Sequence, residues 1–142
     1  MELNEKIGEA FGRDKVDLNT YSPLALAFLG DCVFEIVIRT MIVEKGNQRA
    51  NSLHNQKSDI VNAGAQARII EALMPELSEE EKDVYRRGKN AKVKSSAKNA
   101  SIVDYHKATG LEALCGYLYL QGKMDRVIEL VRLGVDKTGI PV

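Results

Sequence analysis

The chain has 142 residues, 44% of them hydrophobic, which is enough for one compact domain with a real core and leaves no room for a second domain of ordinary size. Its 20 basic and 20 acidic residues cancel, so any argument for a polyanionic partner must rest on where the charges sit rather than on their sum. Cys32 and Cys115 lie in apolar stretches without a CxxC partner, which suggests neither a zinc ribbon nor a disulfide framework and predicts two small core residues.

The first fifteen residues mix acids and bases without an apolar run, so no signal peptide is expected. From Leu24 to Val43 the chain is apolar enough to raise the question of a membrane span, but Asp31, Glu35 and Arg39 interrupt its middle. A soluble, cytoplasmic protein without membrane contact is the expectation. With only three prolines, no alternating β-branched runs and apolar segments of ten or more residues, the predicted class is all-α.

Ser22-Pro23 supplies an N-cap followed by proline at the first helical position, and the helix it opens should run to about Lys45, before Gly46. Being almost wholly hydrophobic, this helix is expected to be buried. Asp31, Glu35 and Arg39 recur every four residues and share one stripe of it, which Ala27 continues backwards. A second helix is predicted from about Ser52 to Met74, ended by Pro75, with Ala63, Gly64, Ala65 and Ala67 allowing a neighbour to approach closely. Ser78-Glu79-Glu80-Glu81 reads as a capping box that opens a short third helix, fraying into Arg86-Arg87-Gly88.

Between Asp83 and Asp104 lie Arg86, Arg87, Lys89, Lys92, Lys94 and Lys98 with no acid among them, interspersed with glycine, serine and asparagine. This reads as a basic loop. Ser101 with Asp104 can cap a further helix whose body, Leu111 to Leu120, is apolar apart from Glu112 and is closed by Gly122. A last amphipathic helix is predicted from about Met124 to Leu133.

Asp31 and Glu112 stand in helices that otherwise look like core, and a buried carboxylate is costly unless it is paired or coordinates a metal. If the two helices pack side by side, the acids can share one cation. Carboxylates and water are what magnesium prefers. The other reading pairs either acid with Arg39 or another cation, or places it in solvent at a helix end, and spacing alone does not decide. Glu35 is better read as the i,i+4 partner of Arg39. The basic segment is either a solvated flexible loop or a patch that neutralises phosphates, for which Lys, Arg and Asn90 suit the backbone and 2′-hydroxyls of A-form RNA. His54 and His106 read as ordinary polar residues, Tyr117 and Tyr119 as core.

Ala27-Phe28-Leu29-Gly30-Asp31-Cys32-Val33 resembles the signature helix of the ribonuclease III family, and Leu111-Glu112-Ala113-Leu114-Cys115-Gly116-Tyr117-Leu118-Tyr119-Leu120 resembles its second acidic motif. The larger enzymes of that family carry a glutamate where this chain has Ala27 and an aspartate where it has Thr109, leaving two of the usual four acids. That pattern is similar to the short branch of the family, as are Leu53-His54, the 63–67 run with Gln66, and Arg87-Gly88-Lys89-Asn90-Ala91-Lys92.

The resemblance implies one catalytic domain over residues 1–142 without a double-stranded RNA-binding domain, an all-helical homodimer, and an Mg2+ site in each subunit. Asp31 and Glu112 would be its catalytic, metal-binding acids. Arg86, Arg87, Lys89, Asn90, Lys92, Lys94 and Lys98 would contact double-stranded RNA, and Phe28 would fill a pocket of the other subunit. Each site would cut one strand, leaving 5′-phosphate and 3′-hydroxyl ends, with the 23S ribosomal RNA precursor as natural substrate. A ribosomal protein presenting that RNA is a further partner the resemblance leaves open. Two readings compete: a catalytically silent helical RNA-binding protein, and a metal-dependent phosphohydrolase of small nucleotides. The second would need ExxE or ExxD pairs, and the dense acids Glu79 to Glu81 read as a helix start instead.

Overall fold

A computed structural model describes residues 1–91 and 100–142. Its helices are α1 (Leu3–Ala10), α2 (Pro23–Glu44), α3 (Ala50–Ile60), α4 (Ala63–Leu73), α5 (Glu79–Lys89), α6 (Ala100–Leu120) and α7 (Met124–Thr138), and no strand occurs among the described residues. α6 is the central element, with α2, α4, α5 and α7 packed around it. No helix among the described residues is long and apolar enough to cross a membrane.

α2 begins where the sequence predicts: Ser22 Oγ accepts the Ala25 N–H at 3.1 Å, and Pro23 occupies the first turn. One side of the helix is core, with Leu26, Val33, Phe34, Ile38 and Ile42 buried. The opposite side is apolar too, yet Leu24, Phe28, Ile36 and Val43 are exposed in the single chain, and Cys32 is exposed with them. The expectation of a buried helix therefore holds for one face only, and that of a core Cys32 is overturned, because Cys32 lies on the uncovered face. Cys115 is buried as predicted, as is Tyr117, while Tyr119 packs partly buried against the core.

The predicted second helix is two. Asn62 breaks it, accepting the Ala65 N–H at 2.8 Å to cap α4 while its Nδ2 donates to the Ser58 carbonyl of α3 at 2.8 Å. In α5 the capping box is present in both directions, Ser78 N–H to Glu81 and Glu81 N–H to Ser78 Oγ. The helix does not fray at Arg86 but continues through Lys89, because Gly88 seats it on α6: a Cβ there would lie 2.7 Å from Ala113 Cβ. At its other end α5 is tied to α7 by Arg126, which grips the buried Glu81 with two bonds of 2.8 Å.

α6 already includes Ser101 and Asp104, so both lie within the helix rather than ahead of it. Gly122, at a φ of 75°, does turn the chain after it as predicted. α7 extends to Thr138, past the predicted Leu133, and ends at Gly139 in the left-handed conformation. Helix α1 has no counterpart among the predicted elements. It buries no residue, caps itself through Glu2 and Glu5, and touches the body through Asn4 Nδ2, which donates to the Leu120 carbonyl at 3.0 Å.

Candidate active site

Two glycines determine where the acids meet. A Cβ on Gly30 would fall 1.6 Å from the Glu112 carbonyl oxygen, and one on Gly116 would fall 2.1 Å from that of Leu26. The backbones of α2 and α6 are thus in direct contact, an approach open only to glycine. Asp31 follows Gly30 at the crossing, and Glu112 lies beneath it, so carboxylates distant in sequence share one place.

Their proximity has an electrostatic signature. Burial, then the charge of Asp31, then a hydrogen bond with Asp31 push the Glu112 carboxyl up from 4.5 to about 8, while the Gln66 amide acts the other way. Glu112 is half-buried and Asp31 exposed, so the pair opens to solvent on the α2 side. Among the described residues neither acid forms an ion pair. Arg39, the cation that could have neutralised Asp31, instead donates from Nε to Glu35 Oε2 at 2.5 Å, as the i,i+4 spacing suggested.

The places where the larger family members carry further acids are closed. Ala27 is buried in the core, and buried Thr109 turns its hydroxyl back to the Tyr105 carbonyl at 2.9 Å. No group of three or more histidine, cysteine, aspartate or glutamate side chains suited to a metal occurs among the described residues. Two converging carboxylates nevertheless fit a hydrated divalent cation such as magnesium, which binds through one or two carboxylates and keeps several waters. The repulsion within the Asp31–Glu112 pair is what such a cation relieves.

The basic segment begins as helix rather than loop. Arg86, Arg87 and Lys89 occupy the last turn of α5, where positive charge complements the helix dipole, and Asn90 is its C-cap. Asp83 lies one turn back and reaches both arginines, at 3.6 Å and 3.4 Å, so their charge is partly compensated. Lys89 Nζ lies 5.8 Å from the centre of the Tyr85 ring. The close approach at Gly88 sets this turn against Gly110, two residues before Glu112. Lys92, Lys94 and Lys98 lie outside the described residues.

Phe28 is 83% exposed. On the same chain, between α2 and α3, a cleft of about 260 Å³ is lined by Ile42, Val43, Ala50 and Leu53, with Arg39 and His54 at its edge. The residue to which sequence reading gave no role is Gln66, named only within the resemblance; it is buried on α4, and its amide acts on the Glu112 carboxyl. The run of small residues around it was legible as a packing surface and as part of the resemblance, neither of which gives the amide a task.

Comparison with known proteins agrees with this geometry. The model of the ribonuclease III domain matches residues 24–123, the segment that holds both acids and the crossing glycines. The chain belongs to the ribonuclease III family and is an endoribonuclease of that type. Within the family it is similar to proteins named Mini-ribonuclease 3. That of Brevibacillus brevis is 50% identical over 116 residues, covering 82% of this chain and 87% of its own length. That of Clostridium tetani is 44% identical over 131 residues, covering 92% and 85%. A crystallised Fusobacterium nucleatum protein, 31% identical, superposes with a TM-score of 0.75 over 86% of this chain and 98% of its own.

Proposed function

We propose that this chain, a double-strand-specific endoribonuclease by family, acts as a homodimer of single catalytic domains in the cytoplasm, each subunit using Mg2+ to cut one strand of the base-paired ends of 23S ribosomal RNA precursor. The observation that carries the reading is the meeting of Asp31 and Glu112 at the α2–α6 crossing, without a basic partner among the described residues.

Asp31 and Glu112 would hold the cation. When bound, it supplies charge neutralisation and Lewis acidity at the scissile phosphoryl group. Glu112 must give up the proton that burial and Asp31 favour, and the Gln66 amide assists that loss. Asp31, on the open side, presents its carboxylate where a duplex can approach. Arg86, Arg87, Lys89 and Asn90 lie on the neighbouring turn, suited to phosphate and 2′-hydroxyl contacts along an A-form backbone, and Lys92, Lys94 and Lys98 continue the basic run. The products would carry 5′-phosphate and 3′-hydroxyl ends.

The uncovered apolar side of α2 supports the dimer. Leu24, Phe28, Ile36 and Val43 form a stripe whose exposure in a lone chain is costly, and the cleft between α2 and α3 offers an apolar seat for the partner's Phe28. A ribosomal protein that presents the RNA would act outside this site. Incubating the purified protein with a long RNA duplex, a single strand and a fragment of the 23S precursor tests the reading. Cutting of the duplex and the fragment in magnesium, with binding but no cutting in EDTA, is expected. Duplex binding with no cutting in either condition would make the protein a silent RNA-binding relative.

A further inference from the structure

Gln66 is a buried residue of α4, a helix that packs against α6, and its side chain acts on the Glu112 carboxyl. Only 4% of its surface is exposed, and its Nε2 makes no hydrogen bond within the described chain. A buried amide donor left unsatisfied opposes folding, and an apolar side chain of similar length would fill the same slot without that cost. Packing therefore does not account for an amide at this position.

Its direction does. Two described groups act on the Glu112 carboxylate: Asp31, which is itself an acid, and Gln66. Of these two, Gln66 is the neutral one, and it carries a buried amide donor without another partner. A glutamate arm has three rotatable torsions, and where a carboxylate ligates a metal, a donor on its non-ligating oxygen orients the arm. We propose that Gln66 is a positioning residue whose otherwise unpartnered amide N–H closes on one oxygen of Glu112, leaving the other oxygen to the cation shared with Asp31. The proposal rests on Asp31 and Glu112 forming a metal-binding pair. A neutral donor suits this role, because a lysine there would cancel the charge that attracts the cation, and an acid would crowd the pair with a third negative charge.

The test uses the full chain without RNA. Manganese binding is followed by loss of the free-ion electron paramagnetic resonance signal, with magnesium as competitor, in the wild type, Asp31→Asn, Gln66→Met and Gln66→Leu. Thermal unfolding in EDTA is measured alongside. The expected result is that both Gln66 variants unfold at or above the wild-type temperature yet bind manganese roughly 10- to 100-fold more weakly. They should need correspondingly more magnesium for half-maximal cleavage, while cutting within a few-fold of wild type once magnesium saturates. Normal manganese affinity in both Gln66 variants, with Asp31→Asn impaired, would overturn the role of Gln66 and leave the metal pair standing. Unfolding of both variants well below wild type in EDTA would also overturn it, since the amide would then serve the fold. Equal manganese binding by wild type and Asp31→Asn would overturn the metal pair, and the proposal with it.

Discussion

Glu112→Gln should stabilise the metal-free protein at neutral pH even as it removes cleavage, because the wild-type carboxylate is held where its charge is unwelcome. Burial and the neighbouring Asp31 raise the Glu112 carboxyl from 4.5 to about 8. A carboxyl raised on folding takes up protons more readily in the native state, so native stability is highest below about 4.5, falls through the interval, and is fully reduced above about 8. At about 1.4 kcal/mol per tenfold change in proton affinity, holding Glu112 protonated at pH 7, well above its ordinary value of 4.5, costs the fold at most about 3.5 kcal/mol. Solvent reaching the open side of the pair reduces this to on the order of 1–2 kcal/mol. A neutral amide of the same shape escapes the cost, which corresponds to a rise of roughly 3–8 °C in the unfolding temperature for a domain of this size. Circular dichroism melts in EDTA from pH 4.5 to pH 8.5 read it directly. The two proteins should melt alike at the acid end and diverge in favour of Glu112→Gln toward pH 8, and magnesium should then raise the wild type alone. Parallel melting curves across the range, or a variant less stable than wild type at pH 7.5, would refute the reasoning.

Three further outcomes are expected. Phe28→Ala removes an exposed aromatic from the proposed two-fold interface and should weaken dimerisation by roughly 2 kcal/mol or more, seen by sedimentation as a shift toward monomer at micromolar concentration. Gly116→Ala places a methyl group 2.1 Å from the Leu26 carbonyl oxygen, so α2 and α6 must separate, at a cost of about 3 kcal/mol or more measured by urea unfolding. Replacing Arg86, Arg87, Lys89 and Lys92 together with alanine should weaken duplex binding and flatten the dependence of log affinity on log salt by somewhat less than about one unit for each phosphate no longer neutralised. The change should be smaller than four fully engaged cations would give, because Asp83 already shares both arginines.

What the sequence disclosed was mostly local. Ser22-Pro23 and the Ser78 capping box are signals complete within four residues, and both helices start where those residues predict. Asp31 and Glu112 stood out because a charge in an apolar run has to be accounted for, which flagged both candidates without showing that they meet. Their meeting depends on Gly30 and Gly116, glycines that in one dimension are indistinguishable from weak spots in a helix. The same limit left Gln66 without a role in the sequence, since the one proposed for it depends on the packing of α4 on α6. Asn62 was a readable cap, overlooked because the stretch around it lacks both proline and a strong polar break. The exposed half of α2 was unreadable for a different reason: hydrophobic residues are patterned alike for a core and for a subunit interface, and only the folded chain shows which of them lack cover.

In the proposed centre, Asp31 and Glu112 carry the magnesium-dependent cutting of duplex RNA. Single-turnover cleavage of an end-labelled duplex, at protein concentrations that saturate binding, tests it most directly in wild type, Asp31→Asn and Glu112→Gln. Wild type should cut in magnesium and stop in EDTA, while both variants bind the duplex and leave it intact. Near-normal magnesium-dependent cutting by either variant would contradict the account and move the chemistry to other residues.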